Sequence, residues 1–440
     1  MKTILSRQLS EYGMILVLLL LCAIFSVFTY REQSPSGSAA GRQLAEAIKV
    51  EVGGMPRVLI AVRNLPDDVA MAEQLRSDVE ANGGTVVAVV QGDPKDARAA
   101  IQKLAAENRP LDVIAGTQTT GEWLVFADLQ TDFPSLGKSR IMTPRSYHWP
   151  NFLKSDNLLN IANQIAVIAI LAIGMTMVII TGGIDLSVGS LLALSAVLSA
   201  KFIRDFAGGE SASPLGMIVA CSAAVAICGL VGAVSGLMIT RFGIPSFIVT
   251  LAMMLVGSGL AYIVSAGQSI YQIPDSFVWI GREANLFGLP NAVVLMFSLY
   301  AFAHLLMSRT KLGRYLYAVG GNREATRLSG VSVERVLMFA YVTCSMLAGL
   351  GGVIMASQLK SGSPTYGNMY ELYVIAAVVV GGTSLSGGEG RILGTLIGAF
   401  IIAVIQNGMN LTNIESYTQK VVLGLVILGA VLIDRMRHRS

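Results

Sequence analysis

Ten apolar runs constrain the fold of this chain more than any other feature of its sequence. The first covers residues 13–30, and 18 residues are close to the minimum of about 17 to 20 that a helix needs to cross about 30 Å of hydrocarbon. The runs predict an all-α polytopic membrane protein with about ten transmembrane helices. Those flanking residues 182 and 388 are short enough that one could be a re-entrant or broken helix. The other nine runs lie near residues 162–180, 183–200, 214–240, 246–265, 292–307, 335–357, 371–384, 392–408 and 418–434.

The segment between residues 31 and 150 differs from the rest of the chain. It holds 28 of the 60 Lys, Arg, Asp and Glu residues, whereas the other 320 residues hold 32. This contrast excludes a uniform membrane protein, and about 120 residues are enough for a domain with its own core. We expect a first transmembrane helix in residues 1–30, an inserted soluble α/β domain in residues 31–150 and a membrane core in residues 151–440.

An alternation of strands and helices fills most of this polar segment. It begins with SPSGSAAG, residues 34–41, which has the composition of a flexible linker. Strands are then predicted over residues 56–64, 85–92 and 111–117, with helices over residues 67–84 and 93–110. This order predicts a small parallel sheet with right-handed crossovers.

Basic residues set the predicted orientation. Lys2 and Arg7 precede the first run, which places the N-terminus in the cytoplasm and the polar segment outside. A cleaved signal peptide is the alternative for this run, although its apolar core exceeds the usual length of about 7 to 15 residues. Lys201 and Arg204 fall on the outer side and break the pattern locally. The basic residues of the predicted inner side, which make both termini cytoplasmic, are Arg241, Arg309, Lys311, Arg314, Arg323, Arg327, Arg335, Arg391, Arg435, Arg437 and Arg439.

Several classes of function are excluded by what the sequence lacks. A net charge of +4 is too small to indicate nucleic acid. No GxxxxGK[ST] or GxGxxG phosphate-binding motif is present, so LSGGE at residues 385–389 is a glycine-rich turn and any ATP hydrolysis belongs to another chain. No cofactor or metal is expected, because the candidate ligands lie inside apolar runs or are scattered. These are Cys22, Cys221, Cys228, Cys344, His148, His304 and His438.

A glycine-rich break interrupts the apolar sequence of residues 174–194. Gly182 and Gly183 can end one helix, and Asp185 then occupies an N-cap position of the next, where a carboxylate accepts backbone N–H bonds. Asp185 is either a structural cap at a tight turn or part of a gate beside the translocation path, as at discontinuous helices in transporters. The candidate gate residues are Gly182, Gly183, Asp185, Ser187 and Gly189.

The longest predicted inner loop, residues 311–336, is basic and contains a short amphipathic helix from Arg323 to Leu328 between Gly321 and Gly330. The bracketing glycines allow the chain to turn sharply into and out of this helix. The loop is either a surface available to a partner or an ordinary positive-inside loop that fixes the topology.

Four segments resemble the permease subunits of bacterial ribose-type ATP-binding-cassette importers, in the order in which they occur in that family. These are residues 151–194, RFGIPSFIVTLAMM, GRYLYAVGGNREATRLSGV and VVVGGTSLSGGEGRILGTLIGAF. The resemblance covers the first helix and residues 151–440. It implies a bacterial inner-membrane protein that works with an ATP-binding-cassette ATPase, a periplasmic solute-binding protein and a second permease copy or a homologous permease.

The resemblance also implies that GGNREATRLSGV carries the coupling helix that docks on the ATPase. This role falls on Gly321, Asn322, Glu324, Ala325, Thr326 and Gly330. Arg323 and Arg327 are four residues apart and share a face, which could lie against headgroups or an acidic rim of the partner. Glu324 is expected to be the most sensitive charged residue, met by a basic group of the ATPase.

Residues 31–150 depart from the family, whose members have a short outer loop at this position. The segment resembles, weakly, one lobe of a periplasmic sugar-binding protein. Since such proteins bind sugar between two lobes, this segment could dock a separate binding protein, pair with a second copy or be a relic. The function that the resemblance implies is inward transport of a ribose-like monosaccharide or related small polar solute. The alternatives are a nucleoside or a branched-chain amino acid as solute, or a ligand-sensing membrane receptor.

Overall fold

The computed structural model describes residues 2–286 and 288–437, so the predicted scattered His438 and inner-side Arg439 lie outside the described residues. The described chain forms two compact units. One runs from Tyr30 to Pro150, and the other comprises the residues up to Thr29 together with those from Asn151 onward.

The smaller unit follows helix α1 (Lys2–Phe28) and alternates strands with helices. Its elements in chain order are β1 (Tyr30–Gln33), α2 (Gly37–Glu51), β2 (Arg57–Val62), α3 (Pro66–Ala81), β3 (Thr85–Gln91), α4 (Pro94–Ala106), β4 (Val113–Gly116), α5 (Gln118–Gly121), α6 (Leu129–Asp132), β5 (Arg140–Met142) and β6 (Tyr147–Pro150).

Four of the strands form a parallel sheet in the order β3-β2-β4-β5. Strand β2, RVLIAV, is almost entirely apolar because both of its faces are covered. Val58, Ile60 and Val62 pack with residues of α2 and α3 on one face, whereas Leu59 and Ala61 pack with residues of α4 on the other.

An ion pair joins the beginnings of two neighbouring strands. The Arg57 guanidinium donates from Nε to Asp112 Oδ2 over 2.9 Å and from Nη2 to Oδ1 over 2.8 Å. The Arg57 backbone N–H also donates to Oδ2, over 2.8 Å. These hydrogen bonds to the ionised form lower the pKa of the Asp112 carboxyl below its usual value.

Two parts of this unit differ from the sequence prediction. The predicted flexible linker lies largely in α2. Helix forms here because Ala40, Leu44 and Ile48 recur at helical spacing and are buried. The two ends of the unit also pair, since β1 and β6 form a separate antiparallel ribbon in which Tyr30 faces Pro150 and Gln33 faces Tyr147. Such a pairing between distant short segments leaves no local pattern to detect.

All of the long secondary-structure elements described in the larger unit are helices. After α1 it contains α7 (Ser155–Ile180), α8 (Val188–Phe206), α9 (Pro214–Arg241), α10 (Ser246–Ser265), α11 (Asn291–Arg309), α12 (Lys311–Gly321), α13 (Arg323–Leu328), α14 (Val333–Leu359), α15 (Tyr370–Val380), α16 (Ile392–Leu411) and α17 (Ser416–Arg437). Asn151 N–H donates to Thr29 O over 2.9 Å, so the chain leaves and re-enters this unit at adjacent positions.

Among the described residues, six helices are long and apolar enough to cross a membrane: α7, α9, α10, α11, α14 and α16. The predicted run at residues 371–384 contains only the 11-residue α15, which at 1.5 Å per residue extends about 16 Å and is too short to cross the hydrocarbon as helix. The run at residues 183–200 begins as helix only at Val188, because the glycine break precedes it. A mostly helical membrane fold is therefore confirmed.

Helix α7 lies at the centre of the larger unit. Nearly every side chain from Ile165 to Ile180 is buried, which explains why this segment is apolar around its whole circumference. Small residues allow close approach of its neighbours, since a Cβ at Gly174 would come within 2.5 Å of the Cα of Cys344 in α14. Thr176, a buried polar residue of this helix, pairs its Oγ1 with Thr395 Oγ1 over 2.8 Å.

Candidate functional site

The predicted helix break is present between α7 and α8. Helix α7 ends at Ile180, and Gly182 adopts a left-handed conformation with φ +75°. Gly182 N–H donates to Ile179 O over 2.9 Å and Gly183 N–H donates to Val178 O over 3.1 Å, which satisfies carbonyls left free at the helix end.

Asp185 lies in the turn that follows and is fully buried. Its Oδ1 accepts hydrogen bonds from Ser187 N–H over 2.9 Å and from Ser187 Oγ over 2.6 Å. A carboxylate that binds the backbone two residues ahead forms an Asx turn. The prediction that Asp185 occupies the N-cap position is therefore wrong: Ser187 occupies it, and Asp185 holds the turn that leads into the helix.

The rest of the Asp185 surroundings comes from α14 and α10. Within the described part of the chain, Asp185 Oδ2 accepts no hydrogen bond of ordinary geometry, although the Cys344 thiol interacts with the carboxyl group. The Tyr341 hydroxyl packs directly on Gly183, where a Cβ would overlap it. Ser246 Oγ accepts from Ile184 N–H over 3.3 Å, which ties the break to the beginning of α10.

Gly189, the last of the predicted gate residues, contacts a different segment. A Cβ at Gly189 would come within 2.5 Å of Glu371 Oε2 and of Gly367 O. The first turn of α8 therefore packs against the beginning of α15, and the small residue is required by this close approach.

The predicted helix of the inner loop is present as α13, with the predicted ends. Its N-cap is Asn322, whose Oδ1 accepts from Ala325 N–H over 2.9 Å. Thr326 Oγ1 donates to Asn322 O over 2.7 Å and is buried, which fixes the inward face of the helix. Gly330 follows with φ +83°, a conformation that favours glycine and lets the chain turn out of the helix.

The outward face of α13 carries charge and one large apolar side chain. The Glu324 side chain is 72% exposed, and its Oε2 lies 3.9 Å from Arg327 Nη1. Arg327 Nη2 also lies 3.5 Å from Glu334 Oε1, so Glu324 and Glu334 share the Arg327 guanidinium as their ion-pair partner. Leu328 is 82% exposed beside them.

The structure brings the two predicted sites together. Arg323 Nη2 donates to Thr181 O over 3.2 Å, which joins the first residue of α13 to the end of α7. Gly388 N–H donates to Ile180 O over 2.8 Å, and a Cβ at Gly320 would overlap this same oxygen. The turn at residues 387–390 is thus the third component of one site, held also by Tyr317 Oη, which donates to Gly390 O over 2.8 Å.

Sequence reasoning missed Gly320, Tyr317, Tyr341 and Ser246 as members of this site. A usable signal was present for the first of them, because the pairs Gly182–Gly183, Gly320–Gly321 and Gly387–Gly388 each lie at a helix end or turn. Tyr341 and Ser246 lie inside apolar runs and Tyr317 lies in the predicted inner loop, and none of the three carries such a signal.

Comparison with known proteins decides the family. The model of a family described as "Branched-chain amino acid transport system / permease component" matches residues 157–431, which include both predicted sites and none of the smaller unit. The chain belongs to this permease family. The permease is a transport subunit that spans the membrane several times.

Several relatives of this permease are named as sugar transport proteins. It is 44% identical over 293 residues to the ribose import permease protein of Escherichia coli, a match that covers 66% of this chain and 88% of the relative. It is 43% identical over 290 residues to the ribose import permease protein of Bacillus subtilis, with 66% and 87% covered. It is 31% identical over 336 residues to the D-allose transport system permease protein of Escherichia coli, with 76% and 97% covered. No solved structure matches the permease.

Proposed function

We propose that this chain is the membrane-spanning permease subunit of an ATP-driven importer for a ribose-like monosaccharide or a related small polar solute. The observation that supports the solute class best is the 44% identity to a ribose import permease over 88% of that relative. Relatives named for allose and arabinose are more distant, at 31% and 36% identity. A nucleoside or a branched-chain amino acid is a less supported solute, although the family description names the latter.

Energy comes from a separate ATP-binding-cassette ATPase in this proposal, because the sequence has no motif that cradles a nucleotide phosphate. The dock for that ATPase is α13 with its flanking residues, Gly321 to Gly330. A short helix that exposes Glu324, Arg327 and Leu328 offers a partner a charged and partly apolar surface. A second permease copy or a homologous permease completes the path, and a periplasmic binding protein delivers the solute.

We propose that the protein lies in the bacterial inner membrane with both termini in the cytoplasm. Ten apolar segments enter the bilayer, and α15 is too short to cross it as helix. Irregular backbone at such a depth is tolerated where it is buried in protein or lines a cavity. The break at Gly182, Gly183, Asp185, Ser187 and Gly189 is then the inner gate, placed at the end of the most buried helix of the unit.

The smaller unit is proposed as a periplasmic α/β domain, residues 31–150, inserted between a first helix in residues 1–30 and a permease core in residues 151–440. Two contacts support an insertion: β1 pairs with β6 at the ends of the smaller unit, and Asn151 N–H bonds Thr29 O in the larger one. Adjacent ends are typical of tolerated insertions. The domain resembles one lobe of a sugar-binding protein and serves as a docking element for the binding protein.

The solute class is tested by uptake in cells that express this chain together with its partner ATPase and binding protein. Ribose, allose, arabinose, adenosine and leucine are each supplied in labelled form in turn, and the unlabelled forms of the other four are the competitors. We expect ribose or another monosaccharide to be taken up and leucine to have no effect on uptake. Uptake of leucine or adenosine in place of every sugar would contradict the proposed solute class. A substitution in the phosphate-binding lysine of the ATPase is the control for ATP dependence.

A further inference from the structure

The carboxyl end of α7 is in contact with two other backbone segments. They are the end of α12 at Gly320 and Gly321, and the turn at Gly387 and Gly388. A Cβ at Gly388 would lie 3.1 Å from the Cα of Gly321. A Cβ at Gly387 would lie 3.0 Å from Gly320 O and 3.1 Å from Gly182 N. We call these three segments, residues 180–183, 320–321 and 387–388, the glycine joint.

The glycine joint has an unusual mechanical property. At most interfaces between helices, side chains separate the backbones and can change rotamer when one helix moves. At Gly320 there is no side chain, and the backbone of α12 rests on Ile180 O, which also accepts the hydrogen bond from Gly388 N–H. A displacement of Gly320 therefore acts directly on the last carbonyl of α7.

A side chain reinforces this contact from α13. Arg323 is the first residue of that helix, and its guanidinium donates to Thr181 O, the next carbonyl along the α7 end. Gly320 and Arg323 thus contact two successive carbonyl groups at the end of α7, those of Ile180 and Thr181. Asp185 follows these residues closely in the chain. Gly321 and Gly330, by contrast, have open space where a Cβ would be added.

We propose that the glycine joint transmits the motion of α13 to the helix break at Asp185, with Gly320 and Arg323 as the positioning residues. This inference rests on the proposed function, in which α13 is the ATPase dock. Movement of the dock displaces the carbonyls of Ile180 and Thr181. The turn from Gly182 to Asp185 then moves relative to Tyr341 and Ser246, which contact its other side.

Two helical glycines provide a matched test. In the full chain with its ATPase and binding protein, Gly320→Ala introduces a methyl group that overlaps Ile180 O and comes within 2.5 Å of Gly388 N, whereas Gly259→Ala, in α10, introduces one into open space. Each complex is purified and reconstituted, and three quantities are measured: ATPase recovered with the permease, ATP hydrolysis and solute uptake. We expect Gly320→Ala to lower uptake about tenfold or more for each ATP hydrolysed, with ATPase recovery unchanged, and Gly259→Ala to leave all three unchanged.

Arg323 provides the second test and decides the matter if Gly320→Ala does not reach the membrane. Arg323→Met removes the donors to Thr181 O, and Arg323→Lys keeps one. We expect Arg323→Met to raise the ATP hydrolysed per solute transported without loss of bound ATPase, and Arg323→Lys to restore most of the coupling. Equal coupling in Gly320→Ala and Gly259→Ala, or unchanged coupling in Arg323→Met, would overturn the inference. So would loss of the ATPase in Arg323→Met, because Arg323 would then act by binding the ATPase and not through Thr181 O. Failure of the unsubstituted chain to retain any ATPase would instead refute the proposed function.

Discussion

Substitution of Asp185 separates the two roles that its position allows. Asp185→Asn keeps an oxygen where Oδ1 accepts from Ser187 N–H and Ser187 Oγ, and it removes the charge. Asp185→Ala removes the acceptor and leaves two buried donors unpaired in the turn. If Asp185 acts as the acceptor that builds the gate turn, the asparagine variant should behave like the unsubstituted protein and the alanine variant should not.

The size of the alanine effect follows from these two hydrogen bonds. Each buried donor left without an acceptor costs about 1 to 3 kcal/mol. The Ser187 hydroxyl can rotate toward another acceptor, so we expect a total near the lower end, about 2 to 3 kcal/mol. The asparagine variant loses neither bond, and its amide nitrogen replaces Oδ2, which accepts no hydrogen bond of ordinary geometry within residues 2–286 and 288–437.

Thermal stability and uptake are measured together on the same preparations. The temperature at which half of the purified permease aggregates should fall clearly for Asp185→Ala and stay close to that of the unsubstituted protein for Asp185→Asn, which should also retain uptake. An asparagine variant that is stable but transports no solute would refute the reasoning, since the negative charge itself would then be required. Equal stability of both variants would show that the Asx turn contributes little.

Four further predictions address other parts of the account. A reporter enzyme fused after Arg145 should be active only outside the cytoplasm, and cytoplasmic activity would overturn the proposed topology. Replacement of residues 34–146 by Asn-Gly should leave a membrane-inserted permease, because an Asn-Gly turn can join β1 directly to β6. Failure of this variant to insert would show that the smaller unit is integral to the fold. Glu324→Lys should lower recovery of the ATPase while membrane insertion stays normal, and unchanged recovery together with unchanged uptake would remove the dock from this helix. Arg57 lowers the pKa of Asp112, so this ion pair stabilises the sheet above the ordinary carboxyl pKa. The stabilisation is lost as the pH falls through the lowered pKa. Hydrogen exchange at β2 and β4 should show this acid dependence, and Asp112→Asn should abolish it.

Local patterns in the sequence were sufficient to predict much of the fold. The helix from Arg323 to Leu328 was placed correctly because glycines bracket it and its first turn carries its own cap in Asn322. The strands β2, β3 and β4 lie inside the predicted ranges, since an apolar run between turn residues is typical of a buried parallel strand. The long apolar helices follow from the same principle applied to a bilayer.

Features that depend on contacts between distant residues could not be predicted in this way. The joining of the two predicted sites rests on Gly388 N–H with Ile180 O and on Arg323 with Thr181 O, pairs separated by more than a hundred residues. The β1–β6 ribbon has the same character, because neither short strand has an apolar pattern of its own. The N-cap of α8 was predicted at Asp185 and lies two residues later, at Ser187. The sequence does not distinguish the two cases, because an Asx turn and an N-cap both place a carboxylate before a helix.

Uptake by vesicles that contain the permease, its ATPase and its binding protein tests whether this chain is the membrane subunit of an ATP-driven sugar importer. Labelled ribose is added with the binding protein on the outside, and ATP is enclosed on the inside. We expect ribose to accumulate only when both the ATPase and ATP are present, and we expect this accumulation to persist when ion gradients across the vesicle membrane are collapsed. Accumulation without the ATPase, or accumulation that depends on an ion gradient, would contradict the proposed function.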